Sequence, residues 1–303
     1  LHPVFGAPAP IKSEPDLIRI ASDALSAEIN PLGAELHALR DAELRDLQWD
    51  GDAAFWTGRA PILFPIVGML ANDRYRVGGQ TYRLPKHGFA RRKLFEVLET
   101  TADHAVLRLS ADEETLAVYP FRFELDVGFA VEAATLTLTA KVRNLDRTPM
   151  PASFGFHPAL RWPLPFGRPR AEHRLTFAED EPAPIRRIDT DGLLTPTPHP
   201  TPVEGQAMRL KDELFETDAV IFDQLRSHSV RLGAGEGPAL EVRFPDTPYL
   251  GVWTKPGAPY ICIEPWHGVA DPQGYEGDFF DKPGVFVVDP GDEKVMALSI
   301  SRV

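Results

Sequence analysis

Apolar and polar residues alternate with a period of two along much of this 303-residue chain. In Thr135–Asn144, Leu136, Leu138, Ala140 and Val142 fall on one face, and Thr137, Thr139 and Lys141 on the other, the pattern of a half-buried strand. Residues 121–129, 104–110, 239–244 and 294–303 read the same way. Residues 17–41 predict three short strands, broken at Ser22-Asp23 and at Pro31-Leu32-Gly33. Helical periodicity is scarce, and its best candidates are short, residues 42–47 and 211–215. Many short strands with turn signals every ten or so residues predict an all-β, antiparallel sandwich with few short helices. An α/β fold would need long amphipathic helices between the strands, and none is written here.

Composition narrows the organisation and the partners. The chain is 43% hydrophobic and 25% charged, enough to bury a sizeable core. Residues 161–202 are rich in proline and charge, but the strands on either side share one character. The reading is therefore one domain over residues 17–303 with a long decorated loop region, preceded by a loose proline-rich lead-in at residues 1–16. No window approaches the ~18 apolar residues of a membrane span. A formal charge of −12 without a basic tract disfavours nucleic acid as a partner. The single cysteine, Cys262, excludes an intrachain disulfide framework and a cysteine-cluster metal site, and it fits a reducing cytoplasm. We assign it no role at this point.

Three stretches carry polar groups where strand patterning places apolar surroundings. In "PYICIEPWHG", Ile261 and Ile263 share one face, and Tyr260, Cys262 and Glu264 the other. A carboxylate ending an apolar strand before Pro265 is expected to be half-buried, and burial raises its pKa toward that of a useful base. In "SFGFHPAL", His157 follows the Phe154-Gly155-Phe156 alternation, where glycine permits a close approach and Pro158 ends the strand. In "LPKHGFARR", His87 stands before Gly88 and Phe89 in the same manner. His104, His173, His199, His228 and His267 lie in polar surroundings and read as surface groups. No phosphate loop, dinucleotide fingerprint or nucleophile elbow is present. Two histidines and a glutamate on strand ends suffice for anomeric interconversion of a sugar. A base takes the O1 proton, an acid protonates the ring oxygen, and the roles reverse on closure. The same three residues could equally be a two-histidine, one-carboxylate metal triad, and spacing does not separate the two.

In chain order, "PILFPIVG", "YRLPKHGFAR", "FGFHPAL", "DAVIF", "LGVWT" and "ICIEPWHG" resemble the aldose 1-epimerase (galactose mutarotase-like) superfamily. The nearest branch is the bacterial mutarotase-related proteins of uncertain substrate. The resemblance runs from about residue 17 to 303. It implies a large antiparallel β-supersandwich and a mutarotase acting on a hexose or related aldose without cofactor or metal, as a monomer or homodimer. It also implies Glu264 as general base, His157 as general acid at the ring oxygen and His87 as a sugar ligand. Asp218 matches the position that binds sugar hydroxyls better than Asp223 does, and Trp253 is the expected wall for the sugar's apolar face. The chain departs from the family pattern at Met69, where sugar-specific members carry an arginine. Arg74 or Arg59 is then expected to supply the guanidinium. The "HGFAR" motif is shared with hexose-6-phosphate mutarotases, whose arginines clamp phosphate, and here Lys86, Arg91 and Arg92 form a basic cluster. A non-catalytic sugar-binding protein on the same scaffold is the remaining alternative.

Overall fold

The computed structural model describes residues 16–303, so all but the last residue of the proline-rich lead-in lies outside the described residues. The alternating segment Thr135–Asn144 lies inside a nine-stranded antiparallel sheet. In spatial order its strands are Ala207–Arg209, Arg174–Phe177, Ser229–Gly233, Leu240–Arg243, Glu293–Arg302, Thr135–Asn144, Phe123–Glu132, His104–Ser110 and Glu96–Thr100. Thr135–Asn144 is buried at every second residue, so Leu136, Leu138, Ala140 and Val142 enter the core as the alternation requires. Each of the leucines and the valine stabilises the fold by about 1.5–3 kcal/mol relative to exposure, and the alanine by less. Residues 17–41 form the three expected strands, Ile18–Ala21, Leu25–Asn30 and Glu35–Asp41.

Facing that core is a second antiparallel sheet, ordered Val220–Phe222, Tyr249–Trp253, Tyr260–His267, Phe154–Phe156 and Ile62–Leu63, with Ala159–Arg161 also paired to Tyr260–His267. Tyr260–His267 is buried on both faces along all but its last residue. Ile261 and Ile263 join the main core with residues of the nine-stranded sheet. Tyr260 and Cys262 pack in a separate aromatic cluster, and Trp266 in another. The period-two reading thus identifies the face that looks away from the core, and the candidate site lies there. Phe154–Phe156 is held against this strand through the registers Phe154↔His267 and Gly155↔Trp266.

Helix expectations fare less well. Residues 42–47 form a turn, because the buried Asp41 carboxylate accepts the backbone N–H groups of Glu43 and Arg45 and closes the chain on itself. Asp212–Phe215 is a single 3₁₀ turn. The α-helix of the described residues is Glu113–Val118, whose start is fixed by a capping box between Asp112 and Thr115. Its first turn carries Glu113 and Glu114, favourable to the helix dipole. Inside the loop region at residues 161–202, Arg174–Phe177 is a full member of the nine-stranded sheet. His173 is buried rather than on the surface: its Nε2 accepts the Leu164 N–H and its Nδ1 faces the Pro169 carbonyl. His267 is likewise mostly covered, with Nδ1 on the Gly284 carbonyl.

Candidate active site

A cavity of about 270 Å³ opens on the outward face of the second sheet, lined among others by His87, His157, Asp218, Trp253, Glu264 and Trp266. The volume lies just below the roughly 300–1,000 Å³ of ligand cavities in general and suits a single sugar ring. On its floor, His157 Nε2 lies 3.1 Å from Glu264 Oε2, and both side chains are nearly inaccessible. Glu264 comes from the strand Tyr260–His267, and His157 from the short link between Phe154–Phe156 and Ala159–Arg161, which pair with that strand. Both backbones are thus held by the sheet.

Trp266 lies beside the pair because two strands leave room for it. A Cβ at Gly155 would meet its indole at 2.6 Å, and one at Gly251 at 2.3 Å. Trp56 tilts against the His157 ring at a centroid distance of 5.1 Å, and Trp253 meets Trp56 edge-on at 5.7 Å. Trp56 escaped the sequence reading; the available signal was an aromatic pair, Phe55-Trp56, in a loop where nothing in the pattern required burial.

His87 stands on the opposite wall, its ring 5.9 Å from that of His157. It adopts a left-handed backbone with φ of 65°. Its N–H donates to the Gly68 carbonyl, while the Gly68 N–H donates to His87 Nδ1 at 3.1 Å. A backbone N–H can only donate, so Nδ1 is unprotonated and the neutral ring carries its proton on Nε2. Gly88 serves a purpose different from ligand approach: a Cβ there would lie 2.3 Å from the Phe64 carbonyl oxygen. That oxygen instead accepts the N–H groups of Phe89 and Ala90, locking the turn that presents His87.

Asp271 ties together the segments that shape the rim. Its N–H donates to the Met69 carbonyl, its carbonyl accepts the Leu194 N–H, and its Oδ2 accepts the Ala71 N–H. Its other oxygen, Oδ1, lies 2.9 Å from Lys282 Nζ, both side chains being buried. The Met69 side chain packs against Gly192, where an added Cβ would come within 2.6 Å of its Cγ.

The remaining expected residues divide. Asp218 lines the cavity, with its backbone carbonyl held by Arg187 Nη1. Asp223 is outside it, paired with Arg186 at 2.8 Å. Arg59 and Arg74, the expected replacements for the arginine absent at Met69, do not line the cavity. Arg59 is turned back onto the His37 carbonyl. Arg74 sits on the hairpin formed with Gln80–Arg83 and borders a separate polar cavity. The cations that do line the site are Lys86 and Arg91, joined by a hydrogen bond from Arg91 Nη2 to the Lys86 carbonyl; Arg92 is exposed elsewhere.

Burial sets the protonation of the pair. It pushes His157 down to about 3 from 6.5, and His87 also well below its ordinary range. Burial pushes Glu264 well above the ordinary 4.5, assisted by the charge of Asp218 and opposed by Lys86 and Trp266. Burial therefore favours the pair's proton on Glu264 over His157, the reverse of their order in water. Unfolded, its members titrate near 4.5 and 6.5, so between those values folded and unfolded chains carry the same single proton. Above 6.5 only the unfolded pair loses it, and stability falls as pH rises toward the folded pKa of Glu264. Below 4.5 the unfolded pair takes a second proton that the folded pair refuses until about 3, and stability falls with acid. In urea unfolding, the stability of the wild type minus that of the Glu264→Gln/His157→Asn double variant should be flat from 4.5 to 6.5. On either side it should fall by about 1.4 kcal/mol per pH unit. A steady slope through the flat window would refute the one-proton assignment.

Comparison with known proteins shows the family and the fold. The sequence model of the family "Aldose 1-epimerase" matches residues 16–276. Protein LacX of Lactococcus lactis subsp. lactis, in its chromosomal form, is 31% identical over 294 residues, 94% of this chain and 98% of that protein. A galactose mutarotase related enzyme of Lactobacillus acidophilus superposes with a TM-score of 0.86 at 31% identity, covering 95% of this chain and 97% of that one. A galactose mutarotase-like protein of Lactobacillus casei gives the same TM-score of 0.86 at 28% identity, covering 95% of this chain and all of the other.

Proposed function

The chain belongs to the aldose 1-epimerase family, and from that premise we propose that it is a mutarotase, interconverting the α and β anomers of a hexose or related aldose. The observation that carries this reading is the buried His157–Glu264 contact of 3.1 Å on the floor of a sugar-sized cavity. One proton on the pair is what the reaction needs. In the ionic arrangement, the Glu264 carboxylate takes the O1 proton while the His157 imidazolium protonates the ring oxygen, and the C1–O5 bond breaks. The products are a carboxylic acid and a neutral imidazole, which the burial of both groups already favours. Rotation about C1–C2 exposes the other face of the aldehyde. On closure O5 attacks C1, giving its proton back to His157, and Glu264 returns its proton to O1. The cycle exchanges no proton with solvent.

The other walls would hold the sugar in place. His87 presents Nε2–H as a donor to a ring hydroxyl, and Asp218 accepts from hydroxyls at the rim. Trp56 and Trp253 cover the sugar's C–H faces. A buried free cysteine and the absence, among the described residues, of any helix able to cross a membrane fit an enzyme of the cytoplasm. A second reading, a phosphorylated aldose, is favoured by one observation: the cations lining the cavity are Lys86 and Arg91. A guanidinium and an ammonium together suit a phosphate monoester.

Anomer exchange measured by NMR with glucose, galactose and glucose 6-phosphate tests both readings. Acceleration above the buffer rate is expected with at least one. Acceleration with the phosphate alone assigns the second reading. Binding of all three without acceleration would make the protein a sugar binder and overturn the catalytic reading.

A further inference from the structure

Cys262 is left unused by this mechanism, yet it is placed beside both reacting groups. It lies two residues before Glu264 on the strand Tyr260–His267, so both side chains leave the same face. The register Ala159↔Cys262 brings His157, two residues before Ala159, against them. One ligand atom each from His157, Cys262 and Glu264 falls within 4.8 Å of the others, and all three residues are buried.

We propose that His157, Cys262 and Glu264 form a binding site for a borderline divalent cation of the zinc class, which occupies it in competition with the sugar. The donor set is one imidazole, one thiol and one carboxylate, with the cavity on the fourth side. Three protein ligands and an open position are what zinc takes outside closed structural sites. Tetrahedral bonding at roughly 2.0–2.3 Å would set the donors about 3.4–3.6 Å apart. The histidine–carboxylate separation of 3.1 Å is a few tenths of an ångström short of that range, and the sulfur, within 4.8 Å of both partners, needs a shift of about 1.4 Å or less. Magnesium and calcium are poor candidates, since they prefer six or more oxygen ligands. A thiolate selects zinc, cobalt or copper instead. Binding displaces the thiol proton of Cys262 and the proton shared by Glu264 and His157, two protons for two positive charges. The buried cluster keeps its net charge. A cation seated there holds the groups proposed to work on the sugar, so the loaded protein is inactive. The binding claim stands apart from the mutarotase reading; the competition with sugar rests on it.

Because Cys262 is the single cysteine of the chain, the full-length protein titrated with Co²⁺ gives an unambiguous readout. A near-ultraviolet sulfur-to-cobalt charge-transfer band should saturate at one ion per chain and vanish on adding Zn²⁺. The half-buried His104, near Glu99 and Asp103, can hold an ion but has no sulfur and gives no such band. Cobalt affinity should fall at least the ~10–100-fold seen when a metal's supporting residues are lost, both in His157→Asn and in Glu264→Gln. Zinc should also inhibit anomer exchange, with a half-inhibitory concentration raised on the order of 100-fold in Cys262→Ala while the metal-free rate is kept. No band at saturating cobalt, or a cobalt affinity in His157→Asn and Glu264→Gln equal to that of the wild type, overturns the site. A chain that shows the band but accelerates no sugar refutes the mutarotase reading and leaves the metal site standing.

Discussion

Glu264→Gln is expected to slow anomer exchange by about 10²–10⁴-fold, the contribution of a positioned acid–base group. Sugar affinity should stay within roughly tenfold, or about 1.4 kcal/mol, because the amide keeps the shape and one acceptor of the carboxylate. The loss should therefore appear in kcat and hardly in the dissociation constant. The geometry makes a second demand. Glu264 and His157 lie 3.1 Å apart, and in the proposed mechanism each step uses both. His157→Asn should cost as much as Glu264→Gln, and the double variant little more than either, as for groups acting as a unit. Additive losses would mean that the two residues act independently. A wild-type rate in Glu264→Gln would remove the glutamate from the chemistry.

Lys282→Met should lower stability by about 3–5 kcal/mol, the effect of leaving one member of a buried ion pair alone. The Lys282 and Asp271 side chains are 1% and 5% exposed and 2.9 Å apart. Burial lowers the pKa of Lys282, and the charge of Asp271 works against that. Deleting the ammonium strands a carboxylate that still accepts the Ala71 N–H. Urea unfolding of Lys282→Met and of the Lys282→Met/Asp271→Asn double variant separates the causes. The double variant should regain much of the loss, because an amide needs no counter-charge. A single variant within about 1 kcal/mol of wild type would mean that the pair is not buried in solution. Asp271 also joins the backbones at Met69 and Leu194, so weaker sugar binding should accompany the lost stability.

Local chemistry was legible wherever one side of the chain alone decides the outcome. The alternation of Tyr260, Cys262 and Glu264 against Ile261 and Ile263 named both the core face and the site face of the central strand. The break at Pro31-Leu32-Gly33 named the turn between two strands. Residues 42–47 misled, since their weak helical period was overridden by one carboxylate, Asp41, that closes a turn instead. The Asp112–Thr115 capping box was written in "ADEETLAV" and marks the helix that periodicity over so few residues could not. His173 looked exposed because its neighbours are polar, but its ring is buried between the Leu164 N–H and the Pro169 carbonyl.

The choice among arginines was beyond any reading of spacing. Arg59 and Arg74 were the expected replacements for the arginine absent at Met69, yet neither lines the cavity; Arg91, read as part of a basic cluster, does, while Arg59 turns to the His37 carbonyl. By itself the sequence determined the all-β architecture, the strand faces and the three polar residues set into apolar surroundings. A period of two and a turn residue act over a few positions and need no distant partner. Only the tertiary structure decided which groups meet: His157 with Glu264, Gly68 with the Nδ1 of His87, Trp56 with the His157 ring, Lys282 with Asp271. Such contacts depend on strand order and register. These join segments as far apart as His157 and Glu264, and burial pushes the histidine down and the glutamate up only once both are out of water.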